Sequence, residues 1–144
     1  MSSPKLSFAI GDKAHFTKLI TIQDVQDFAK ISGDSQPIHI DHAYASRTRF
    51  KTQIAHGVIS IGLISAVLGV KMARPDHTLI LLGSNIQFIG PVHLNDTITA
   101  ECEVLHIRND KPIVTLSCKC VNQHNDEVAT GEATIFVDPF PYSE

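Results

Sequence analysis

The sequence predicts an α+β fold in which one antiparallel sheet wraps a single long buried helix. Two observations carry this. Residues 57–73, GVISIGLISAVLGVKMA, are apolar on nearly every side of a helical projection, and a helix without a polar face belongs in a core. The second half of the chain alternates. Ile98, Ala100, Cys102 and Val104 interleave with Thr97, Thr99, Glu101 and Glu103, and Val114, Leu116, Cys118 and Cys120 repeat the pattern. That period of two belongs to half-buried strands.

The elements follow in order. Lys13 to Ile20 reads as a first strand. Thr21 then has N-cap chemistry, with Asp24 three residues on and apolar Val25, Phe28, Ala29 and Ile31 behind it; Gly33 ends the helix. Ser32 to Ala55 is a long stretch of polar and turn residues around Pro37, and loops of that length in compact domains are often functional. The buried helix comes next, expected to leave no face in water. Thr78 to Ile89 supplies a strand. The two alternating runs meet at the turn Asn109-Asp110-Lys111-Pro112. A second turn, His124-Asn125-Asp126-Glu127, leads to a last run from Val128 to Val137. The last four strands are expected to form an antiparallel meander around the helix, which is the hot-dog arrangement.

The chain has 144 residues, enough for one domain spanning 1–144 and too few for two. Its net charge of −3 excludes nucleic acid as the main partner, because no basic excess exists to neutralise phosphates. Arg47, Arg49 and Lys51 gather locally and read as a solvated loop face. Three cysteines give no disulfide framework. Cys118 and Cys120 are too closely spaced for a zinc pair and read as small core hydrophobes. The opening MSSPKLSFAIGDK lacks the apolar run of a signal peptide, and Gly57 to Val70 is too short to cross a bilayer. A soluble cytoplasmic or organelle-matrix protein with no membrane partner is the expectation.

Chemistry is concentrated in the long polar stretch, SGDSQPIHIDHAYASRTRF, which continues into KTQIAHGVIS. Asp34 and His39 are five apart with Pro37 between them. A helix would not bring them to one face, but a bent loop around a small molecule can, and a carboxylate with an imidazole is an acid/base pair suited to neutral pH. Spacing alone favours the bland reading: an Asp in a Gly-Asp turn and a solvated loop histidine.

The stretch from Phe28 to Gly69 resembles the MaoC-like, R-specific enoyl-CoA hydratases. Their signature runs Phe-Ala, two residues, Ser-Gly-Asp, one residue, Asn-Pro, one residue, His, one residue, Asp. Tyr-Ala, Thr, Phe and Ala-His-Gly then follow. Here it is met by Phe28-Ala29, Ser32-Gly33-Asp34, Pro37, His39, Asp41, Tyr44-Ala45, Thr48, Phe50 and Ala55-His56-Gly57. The resemblance implies a hot-dog fold, a catalytic pair at Asp34 and His39, a helix-opening glycine at Gly57 and a substrate-facing serine at Ser65. It also implies a homodimer and reversible hydration of a trans-2-enoyl thioester to the R-3-hydroxyacyl product. The acyl group would be carried by coenzyme A or acyl carrier protein, and no metal or redox cofactor is expected. Fatty-acid metabolism and polyhydroxyalkanoate synthesis are the settings this implies. Gln36 departs from the family's Asn before the proline, which bears on rate and substrate choice more than on reaction type.

The remaining candidates have plainer roles. His56 precedes the helix and is expected to cap it or fix the loop; Asp41 reads as a turn residue. Ser60 and Ser65 can bond back to helix carbonyls, although the resemblance favours an active-site role for Ser65. His15, His42, His77, His93, His106 and His124 are scattered and read as surface or structural. Two rivals remain: a hot-dog thioesterase and a non-catalytic acyl-thioester-binding module. Many hot-dog enzymes of the first kind place a carboxylate on the central helix, and Gly57 to Val70 has none. An intact Asp34/His39 pair weighs against the second.

Overall fold

A computed structural model describes residues 7–144. The elements are β1 (Lys13–Leu19), α1 (Ile22–Ser32), α2 (Pro37–Ile40), α3 (His42–Ala45), α4 (Val58–Ala66) and a π-helical turn (Val67–Lys71). Strands β2 (His77–Phe88), β3 (Thr97–Ile107), β4 (Ile113–Val121) and β5 (Glu127–Pro139) follow. The five strands form one antiparallel sheet in the order β1-β3-β4-β5-β2.

The alternating runs bury the residues that their period predicts. Ile98, Ala100, Cys102 and Val104 on β3 are buried, as are Val114, Leu116, Cys118 and Cys120 on β4. Their common face meets Leu63, Ile64, Val67 and Leu68 of the central helix in one core. The three cysteines are free and buried within it. Burial pushes the Cys120 thiol up to about 12, so it behaves as a small hydrophobe.

Two expectations are corrected. The last four strands are not a continuous meander. β3, β4 and β5 pair in sequence, but β2 pairs with β5 at the far side. The segment from Ile89 to Asp96 therefore carries the chain across the sheet to β3, which takes β1 as its other neighbour. Nor is the central helix covered all round. Val58 is 51% exposed and Val70 68% exposed, and Gly62 and Ser65 are exposed with them. A sheet curved around a helix covers one side of it; the other side is apolar and open. Among the described residues, no helix is long and apolar enough to cross a membrane.

Helix α1 begins and ends as its sequence predicts. Thr21 accepts the Asp24 amide while the Asp24 carboxylate accepts the Thr21 amide, a reciprocal capping box. Gly33 closes the helix at φ 82°, in the left-handed region, with its N–H on the Ala29 carbonyl. The central helix changes character at Val67. The Met72 amide bonds the Val67 carbonyl, five residues back, and this wider turn keeps Met72 in the core while Lys71 stays outside.

Candidate active site

The polar stretch after α1 is more ordered than a loop. It holds two one-turn helices, each started by its own residues. Pro37 sits at the first position of α2, where its missing N–H costs nothing. The Asp41 carboxylate accepts the Tyr44 amide and caps α3, which gives Asp41 the structural role expected of it.

Asp34 follows the Gly33 cap directly. Ser32 Oγ donates to the Phe28 carbonyl at 2.6 Å and accepts the Asp34 amide at 3.1 Å, so the chain leaves α1 in a fixed direction. The Asp34 side chain is exposed and accepts the Gln36 amide at 3.3 Å. Gln36 thus takes part through its backbone, and its carbonyl accepts the His39 amide. Neither contact depends on whether Gln or Asn stands there.

His39 sits on α2 and is 8% exposed. Its Nδ1 donates to the Ile54 carbonyl at 2.7 Å. A carbonyl only accepts, so Nδ1 carries the proton and Nε2 of the neutral ring keeps its lone pair. Buried Gln53 donates to the His39 carbonyl at 2.8 Å. The segment behind them is pinned in turn: the Ala55 amide bonds the Val92 carbonyl at 2.7 Å, and Ile54 bridges His93. The β2–β3 crossing therefore holds the wall on which His39 leans.

His56 is 2% exposed. Its Nε2 donates to the Asp34 carbonyl at 2.8 Å, and its ring stacks on that of His39 with centroids 3.9 Å apart. One ligand-type atom each from Asp34, His39 and His56 lies within 4.8 Å of the others.

A cavity of about 470 Å³ opens beside this cluster, with His39, Phe50, Gly57, Ser60, Phe88 and Val128 in its lining. Among the described lining residues His39 alone has an ionisable side chain. Gly57 stands at the N-cap of α4. The amides of Gly57 and Val58 have no hydrogen-bond acceptor among the described residues, as expected of helix-opening N–H groups. Of the residues expected from sequence, Asp34 and His39 come together in one cluster, and His39 and Gly57 line one cavity. Ser65 is not brought there: it is exposed and absent from the cavity lining, because it continues the open helix row of Val58 and Gly62. The aromatic walls Phe50 and Phe88 and the fixing carbonyl of Ile54 were missed as site residues. Phe50 lies within the signature stretch and was legible; nothing local marks Phe88 on its strand.

The family described as the MaoC like domain matches residues 7–125, and the chain belongs to that family. The (R)-specific enoyl-CoA hydratase of Aeromonas caviae is 38% identical over 129 residues, covering 90% of this chain and 95% of that protein. The (R)-specific enoyl-CoA hydratase of Rhodospirillum rubrum is 39% identical over 127 residues, covering 88% of this chain and 86% of that one. Among solved structures, the (R)-hydratase from A. caviae involved in PHA biosynthesis superposes with a TM-score of 0.86 at 36% identity. That match covers 92% of this chain and 98% of the other, which makes the fold a hot-dog.

Proposed function

We infer that this chain is an R-specific enoyl-CoA hydratase, a hydro-lyase that adds water reversibly to trans-2-enoyl-CoA to give R-3-hydroxyacyl-CoA. The observation that carries the residue assignment is His39. Its Nδ1 is committed to the Ile54 carbonyl, and its Nε2 has no hydrogen-bond partner among the described residues; it lines an apolar cavity and lies close to the Asp34 carboxylate.

The thioester carbonyl makes C3 of the enoyl chain electrophilic. A water held between Asp34 and His39 Nε2 loses a proton to one of them as its oxygen bonds to C3. The C2=C3 electron pair moves toward the thioester oxygen, and the group that took the proton then returns one to C2 on the same face. Charge on that oxygen needs donors, and the free N–H groups of Gly57 and Val58 at the positive end of α4 supply them. Coenzyme A is the carrier assigned, in keeping with the hydratases named above. Nothing in these steps calls for a metal or redox cofactor.

A homodimer completes the proposal. β2 is an edge strand carrying exposed Ile80, Leu81, Leu82 and Phe88, with Ile89 beside it. An open apolar edge of this kind is built for pairing. Ser65 is assigned a substrate-facing role only within that assembly.

The test is crotonyl-CoA hydration followed by absorbance, with the product read by R- and S-specific dehydrogenases. The parent should give the R product. Asp34→Ala and His39→Ala should each lose about two to four decades in rate, the usual reach of positioned acid/base groups. An S product, or near-normal hydration by either folded variant, would sink the assignment.

A further inference from the structure

The hydration chemistry makes no use of His56, yet this residue touches both groups that carry it. We propose that His56 is a positioning residue that locks the Asp34 backbone and the His39 ring into one rigid unit. The proposal rests on the roles given to Asp34 and His39 above.

Three contacts make the case. The Nε2–H of His56 reaches the Asp34 carbonyl across 22 residues of sequence. The His56 ring lies against the His39 ring, 3.9 Å between centroids and 28° between planes. Phe28, from the last turns of α1, packs on His56 at 4.7 Å. One side chain at the mouth of α4 therefore ties together the end of α1, the loop after it and α2.

Asp34 needs such a tie. Its side chain is exposed, and the hydrogen bond it accepts comes from a neighbour two residues away. That bond sets a local turn and does not fix the loop against the cavity. His39 has its rotation limited by Nδ1 on the Ile54 carbonyl, and the stacked ring closes off movement to one side.

The chain retains this arrangement at a cost. With Nε2 protonated, His56 Nδ1 is a bare acceptor, and it is buried with no hydrogen-bond partner among the described residues. Leaving a buried acceptor unsatisfied costs about 1–3 kcal/mol. A phenyl ring would fill the space without that penalty. What phenylalanine cannot supply is the N–H to Asp34. Sealed from the cavity and holding no proton on Nδ1, His56 acts through its neighbours and does not touch the substrate.

Two substitutions separate its contacts. His56→Phe keeps a stacking ring and removes the N–H; His56→Gln keeps a donor near the Nε2 position and removes the ring. Each should lower kcat for crotonyl-CoA by about tenfold to a hundredfold, the scale of a misplaced reacting group, with KM moving less than about threefold. In an Asp34→Ala background, His56→Phe should cost less than about twofold more, because the group it positions is gone. A folded His56→Phe enzyme with parental kcat, or an undiminished loss in the Asp34→Ala background, overturns the proposal. If Asp34→Ala and His39→Ala are themselves active, the catalytic assignment has failed instead, and that outcome is read separately. A measurement on the unaltered protein guards against misfolded variants. Nitrogen-15 spectra should show His56 held as the Nε2–H tautomer, with a slowly exchanging proton; the other tautomer or rapid exchange also overturns it.

Discussion

Gly57 stands where the central helix, the cavity and the sheet edge meet. A Cβ added there would come within 3.1–3.3 Å of the Phe88 ring, and that ring is 50% exposed and free to give way. Gly57→Ala should therefore fold, keep its N–H and lose modest activity. Gly57→Pro removes the N–H while remaining compatible with a first helical turn. Its rate should fall by about two to three decades, the measured scale for losing one oxyanion donor. Steady-state hydration by the two variants, compared after circular dichroism confirms folding, checks this; equal rates would take the Gly57 amide out of the mechanism. Asp34, His39 and Gly57 were legible because each is part of a short stretch whose local geometry depends on its own sequence. Ser65 was not, because its surroundings are set by what lies against an open helix face. The stacking of His56 on His39 was also hidden, since it joins residues from two separate elements.

Elements were legible where their signals are local. The capping box of α1 involves only Thr21 and Asp24, three residues apart, and the expected N-cap is the observed one. Burial works to raise the Asp24 carboxyl, but hydrogen bonds from Thr21 and the Lys18 ammonium beside it hold it below its ordinary value. A depressed carboxylate stabilises the fold fully above its unfolded pKa of about 4, and that contribution fades as pH falls through the lower folded value. Thr21→Ala should cost about 1 kcal/mol in urea unfolding at neutral pH. The gap between the parent and Asp24→Asn should narrow on acidification; a gap independent of pH would contradict the ion-pair and capping account. The π turn was not foreseen, although one residue signalled it. Continued α-helical spacing from Leu63, Ile64, Val67 and Leu68 places Lys71 toward the core and rotates Met72 away from it. The wider turn reverses this, leaving Met72 2% exposed and Lys71 outside, its amine 5.7 Å from the Phe16 ring centroid. Deleting Gly69 should then close the segment as ordinary α-helix with the methionine still inward. Thermal melts should show that deletion within about 10 °C of the parent, a shift of the order expected for one or two kcal/mol. Deleting Gly62 should abolish folding, because every later helix residue would turn by about 100°. Equal tolerance of both deletions would count against the register argument.

At the scale of the whole molecule, the fold class was legible and the strand order was not. Alternation shows which face of a strand is buried but not which strand lies beside it, so β2 was placed next to β3 when it pairs with β5. The same limit hid the open side of the central helix: an all-apolar sequence reports that water is unwelcome, not what excludes it. Light scattering is expected to find a dimer. The position of Phe88 gives that expectation a kinetic consequence. This residue belongs to the outermost strand and also lines the cavity beside His39. Whatever settles on that strand therefore shapes the space in which substrate reacts. Association and turnover become linked by mass action: specific activity should be constant at high enzyme concentration and decline on dilution past the dissociation constant of the pair. Adding back concentrated inactive Asp34→Ala protein should then restore part of the lost rate, as native subunits regain a neighbour.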